Sequence, residues 1–131
     1  MVTMDMAFLQ GKRGLLIDDD DAMRLMSRMM LDKHGVEVFD ANSGQAALTL
    51  LQEQGGRIDF VLQDLSMPGM NGIECAREIQ KINADIQIIL VTGHAEDRIP
   101  ADDVHFSSYL LKPYLSSALY IAIAEALGQN R

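Results

Sequence analysis

The sequence predicts an α/β domain with a doubly wound, five-stranded parallel sheet, and three observations carry that expectation. Short apolar runs alternate with segments of helical period from Arg13 to Gly128. The runs are nearly continuous in apolar residues, as strands covered on both faces are. The chain has 131 residues, which suits one domain with a real core and leaves no room for a second, separate output domain.

Taken in order, the expected strands are residues 14–17, 36–39, 60–62, 86–91 and 109–111. After the first, Met23, Met26 and Met30 recur at helical spacing and predict one buried face, with Met29 beside them in the same packing. Ala46, Leu50 and Leu51 form the next stripe, with Ser43 placed as its cap. Ile73, Ala76 and Ile79 follow the third strand, and Asn71 with Glu74 has the spacing of a capping box. Cys75 falls within that helix and reads as packing. The last stripe is Leu115, Ala118, Leu119, Ala122, Ile123 and Ala126, stopped by Gly128. Tyr120, Ile121 and Leu127 lie outside or beside that face and predict a protein contact, by self-association or target docking. The fourth connection is the irregular one, because Ile99-Pro100 interrupts it. Residues 1–12 show no period and read as a flexible lead-in, 13–128 as the domain and 129–131 as a tail.

Composition narrows the function. Nineteen acidic side chains against eleven basic ones give a net charge of −8, and no basic cluster is present to hold a nucleic-acid backbone. The single cysteine excludes an internal disulfide framework and suits a reducing compartment. No apolar run approaches the ~20 residues that span a bilayer, and the first ten residues lack the charged and apolar regions of a signal peptide. The expected location is the cytoplasm.

Open parallel sheets bind ligands beyond the carboxyl ends of their strands. Asp18, Asp19, Asp20 and Asp21 follow the first strand, Gln63 and Asp64 end the third, Thr92 and Gly93 follow the fourth, and Lys112 and Pro113 the fifth. Carboxylates gathered there repel one another unless a cation sits among them. A hard divalent ion such as Mg²⁺ answers that need and also binds phosphate oxygens. The hydroxyl of Thr92 and the ammonium of Lys112 would supply donors to the rest of a phosphoryl group. Asp20 and Asp21 read instead as helix-capping acids. His34, His94 and His105 share no metal-ligand spacing.

Four motifs in this order resemble the receiver domains of response regulators in two-component signalling. They are the acidic pair Asp18-Asp19, Asp64-Leu-Ser-Met-Pro-Gly-Met-Asn-Gly72, Val91-Thr-Gly93 and Tyr109-Leu-Leu-Lys-Pro113. The resemblance covers roughly residues 13–128 and implies a flavodoxin-like sheet of strand order 2-1-3-4-5. It implies that Asp64 accepts a phosphoryl group from a phosphohistidine on a histidine kinase or histidine phosphotransfer domain. Asp18, Asp19 and Asp64, with the carbonyl of Ser66, would hold Mg²⁺ or Mn²⁺. Thr92 and Tyr109 would be switch residues, the Thr92 hydroxyl moving onto the phosphoryl group, with Lys112 the lysine that pairs with that group and the peptide before Pro113 cis. Ser66 and His94 occupy positions that tune dephosphorylation, and the fifth strand with the last helix forms a dimer or partner surface. The chain departs from the pattern over residues 96–108, where no glycine precedes the fifth strand, so a short or irregular fourth helix is expected.

The lead-in before Arg13 is similar to the linker entering hybrid histidine kinase receivers, so both a stand-alone regulator and a receiver excised from a larger protein fit. Two other function classes remain. A haloacid-dehalogenase-type phosphatase would use Asp18 as nucleophile with Asp20 as second acid, although Ala22 stands where Thr or Val is expected. A pseudo-receiver would serve only as an interaction module, against which the complete set of acceptor residues counts.

Overall fold

The computed structural model describes residues 5–67, 69–94 and 104–128. The strands are β1 (Arg13–Ile17), β2 (Glu37–Ala41), β3 (Phe60–Asp64), β4 (Gln87–Thr92) and β5 (Ser108–Leu111). They pair in parallel in the order β2-β1-β3-β4-β5, as the sequence predicts. Among the described residues the helices are α1 (Asp21–Asp32), α2 (Gly44–Glu53), α3 (Gly72–Ile82) and α4 (Ser116–Ala126).

Side chains alternate along each strand, so the sheet feeds two cores. Leu15, Ile17, Val61, Ile88 and Leu90 face α2 and α3, where Ala47, Leu51, Cys75, Ala76 and Ile79 meet them. Leu16, Phe60, Leu62, Ile89 and Val91 face α1 and α4, against Leu31, Leu119 and Ile123. The expected caps form. Asp20 accepts from the amides of Ala22 and Met23, Ser43 from Ala46 and Asn71 from Glu74. Each satisfies helix-end donors that would otherwise be unpaired. Gly128 ends α4 with a φ of 72°, the left-handed stop its sequence position predicts.

Three expectations change. Residues 5–12 are not a flexible lead-in: Met6–Leu9 forms a 3-10 turn capped by Asp5, and Leu9 is fully buried in the α1/α4 core. The amide of Gly11 then bonds the carbonyl of Gly35. Apolar side chains too few to show a period are still enough to plug the end of a core. On α1 the buried residues are Ser27 and Leu31, whereas Met26 and Met29 are exposed at 49% and 63%. The Ser27 hydroxyl meets the Tyr114 phenol at 2.6 Å, which satisfies a polar residue on the inward face beside Leu31.

Tyr120 is also inside. Its hydroxyl donates to the Met30 carbonyl at 2.9 Å and its ring meets His34 edge-on, so it cannot be an interface residue. Leu127 packs partly buried against the same core. The connection after β4 overturns no expectation. Residues 95–103, most of the stretch expected to hold a short or irregular helix, lie outside the described residues. Val104 to Ser107 enter β5 without helix, with Val104 and Phe106 buried against the α2/α3 core.

Candidate functional site

The carboxyl ends of β1, β3 and β4 and the start of the segment after β5 converge on one point. Asp18 leaves β1 with its amide bonded to the Ala41 carbonyl, which pins it beside the sheet. Its Oδ1 accepts from the Asp20 amide at 2.9 Å and its Oδ2 from Lys112 Nζ at 2.7 Å. Asp64 is the last residue of β3 and is 5% exposed. Its Oδ1 lies 3.2 Å from the same Lys112 Nζ. Asp19 is exposed at the mouth, and one carboxylate oxygen each from Asp18, Asp19 and Asp64 falls within a 4.8 Å cluster.

The electrostatics follow from this crowding. Burial, then the charge of Asp18, with Asp19 adding, raise the Asp64 pKa from 3.8 to about 6, while the charge and hydrogen bond of Lys112 pull it down. For Lys112, burial disfavours the ammonium, but Asp18 and Asp64 outweigh it and hold the pKa above its ordinary value. One ammonium among three carboxylates leaves a negative excess. A divalent cation with oxygen ligands fits that excess and that donor set.

Thr92 ends β4, buried, with its Oγ1 accepting from the His94 amide at 3.2 Å. Its carbonyl bonds the Lys112 amide at 2.8 Å, so the β4–β5 pairing carries the lysine to the site. The Lys112–Pro113 peptide is cis, as expected. Ser66 and His94 are exposed at the mouth. Asp20 spends its carboxylate on the α1 cap, away from the acidic cluster, which removes the second acid of the phosphatase reading.

Residues 15–124 match the response regulator receiver domain family. The chain belongs to that family. The receiver is 38% identical over 120 residues to sensor kinase CckA of Brucella abortus, a match that takes in 88% of this chain and 12% of that protein. It therefore spans only a small fraction of that curated relative. A response regulator receiver domain protein from Clostridium thermocellum is 33% identical and superposes with a TM-score of 0.80, covering 89% of this chain and 94% of the other. The response regulator TrrA from Thermotoga maritima, solved in complex with Mg²⁺ and BeF, is 31% identical with a TM-score of 0.78, covering 88% and 99%.

The receiver thus brings Asp18, Asp19, Asp64 and Lys112 together, with Thr92 at the neighbouring strand end. Tyr109 stands apart on the edge strand β5, 39% exposed with its ring 6.1 Å from Phe106. The sequence reading missed three supports. Arg24 reaches back from α1 and donates to the Asp18 carbonyl at 2.6 Å; its position three after Asp21 is the available signal. Gln63 is wholly buried beside Asp64, a polar residue in an apolar strand. Gly72, the first residue of α3, lies against the Asp64 backbone.

Proposed function

We propose that this receiver accepts a phosphoryl group on Asp64 from a phosphohistidine of a histidine kinase or histidine phosphotransfer domain, with Mg²⁺ (or Mn²⁺) bound. The observation that carries the reading is the Asp64 carboxylate, buried, raised in pKa to about 6 and shared between two acids and Lys112. A carboxylate oxygen of Asp64 forms the new P–O bond, the P–N bond to the donor breaks, and the imidazole takes up a proton as it leaves. Asp18, Asp19, Asp64 and the Ser66 carbonyl are the residues that would hold the ion, which neutralises charge on the phosphoryl oxygens. Lys112 is placed to pair with a phosphoryl oxygen once Asp64 no longer carries its own charge there. The Thr92 hydroxyl offers a second donor by rotating from its bond with His94.

The domain catalyses only its own phosphorylation and dephosphorylation, and acts in the cytoplasm; among the described residues no helix is long and apolar enough to cross a membrane. A donor must bring its phosphohistidine to the mouth where α1 begins. Further along α1, Leu25, Met26 and Met29 expose 58%, 49% and 63% of their surface, an apolar landing place. The output is a surface, whether the receiver works alone or within a hybrid sensor kinase or other larger protein. Support for an output surface on β5 and α4 comes from Tyr109, Leu111, Leu115 and Ile121, exposed at 39%, 48%, 76% and 44%. Sedimentation should show self-association there on phosphorylation, weakened by Ile121→Arg; a strict monomer in both states with no bound target would remove this surface from the proposal.

Acetyl phosphate tests the acceptor. Intact mass should show one phosphoryl group added to the wild type with Mg²⁺, none with a chelator and none in Asp64→Asn. An unlabelled wild type, or equal labelling in Asp64→Asn, overturns the assignment. The decay of the same label tests the tuning role of the mouth residues: His94→Ala should alter its lifetime, and an unchanged lifetime rules His94 out.

A further inference from the structure

Gln63 is 0% exposed, inside the sheet one residue before the acceptor. It points to the α2/α3 core, the opposite face from Asp64, between Ile17 of β1 and Leu90 of β4 in register. Its Nε2 donates to the main-chain carbonyl of Asp64 at 3.0 Å, and its Oε1 is buried with no hydrogen-bond partner among the described residues. The amide cannot be turned round, because that would set two acceptor oxygens against each other.

The carbonyl it holds needs holding. The Leu65 amide bonds Val91 on β4 at 2.9 Å, and a trans peptide points its carbonyl the other way. On that side the β1–β3 register has ended at Ile17 opposite Gln63, so among the described residues no strand partner continues there for Asp64. The Gln63 side chain takes that place. Burying an amide with an orphan oxygen costs stability, whereas an apolar residue at this position would bury well against the same core but leave the Asp64 carbonyl unheld. We propose that Gln63 is a positioning residue: its amide fixes the Asp64–Leu65 peptide, and through it the acceptor carboxylate and the Ser66 carbonyl, at the expense of fold stability. The inference rests on the reading of Asp64 as acceptor and of its cluster as the cation site.

The test uses Gln63→Leu and the straight-chain isostere Gln63→Met in the full chain. Unfolding midpoints, the Mg²⁺ affinity by calorimetry, and the acetyl phosphate labelling rate against Mg²⁺ concentration are measured for each. Exchanging one orphan acceptor for another while adding apolar burial should leave the midpoint unchanged or raise it. The labelling rate should fall about tenfold, as sub-ångström misplacement of a reacting group does, and the Mg²⁺ dependence should shift to higher concentration. Wild-type labelling and Mg²⁺ affinity in either folded variant overturn the proposal, as does a loss of labelling that only tracks a lowered midpoint. If the wild type takes no label, the acceptor reading fails separately; weakened Mg²⁺ binding in the variants still supports positioning, and unchanged binding still overturns it.

Discussion

Asp64→Asn should be more stable than the wild type at pH 7.5 by about 2–3 kcal/mol, and the difference should vanish as the pH falls below about 4. The sign comes from the shifted carboxyl. Asp64 ionises at about 6 in the folded protein and at 3.8 as a free carboxyl. Between those values the native state holds the proton more tightly, so stability declines as the pH rises from 3.8 to 6. Above that range the whole penalty of keeping a charge buried beside Asp18 is present. Asparagine never carries that charge, and Lys112 keeps its 2.7 Å bond to Asp18. Urea unfolding of both proteins across this pH range reads the effect. Mg²⁺ adds a second arm, since a ligand that binds only the folded state at ~100 times its Kd contributes about 2.7 kcal/mol. It should raise the wild type far more than Asp64→Asn and nearly close the gap. Equal stability at pH 7.5, or a gap flat in pH, would show that Asp64 is not destabilised by its surroundings.

The same site shows how far sequence reasoning reaches. Asp18, Asp64, Thr92 and Lys112 were legible because each directly follows or ends an apolar run, and parallel strands must deliver their carboxyl ends to one edge. The acidic caps were legible for the opposite reason, since a cap is set by residues three or fewer positions away. What escaped depends on partners far apart in the chain. Tyr120 looks external on an isolated helix, yet its hydroxyl lies 2.9 Å from a carbonyl 90 residues earlier. On α1 the methionines have the right spacing, but the inward face runs through Ser27, whose hydroxyl is met by a phenol 87 residues later, and Met26 and Met29 face outward. Gln63 and Gly72 were passed over because their role is toward a main-chain carbonyl, which no pattern of side chains displays.

Gly72→Ala makes that last point measurable. A Cβ at Gly72 would stand 2.3 Å from the Asp64 carbonyl oxygen and 2.8 Å from Leu65 Cα. Both atoms are backbone at the end of a central strand, so neither can swing aside. The helix must back away or the acceptor must move, and forced overpacking of this kind costs about 2–3 kcal/mol. Gly44 provides the control, since it also opens a helix and is also buried. The three atoms nearest a Cβ there all belong to Met70, the sulfur at 2.8 Å, and a methionine side chain has the freedom to move. Neither glycine has a positive φ, so strain of the backbone does not distinguish them. Gly44→Ala should therefore stay within about 1 kcal/mol of the wild type, where the better helix propensity of alanine offsets the displacement of Met70. Gly72→Ala should lose stability and also label more slowly with acetyl phosphate, because relief of the clash comes at the peptide that carries Asp64. Equal losses in the two variants would mean that the approach of α3 to the acceptor strand is not tight, and the positioning of Asp64 would then rest on Gln63 and Lys112 alone.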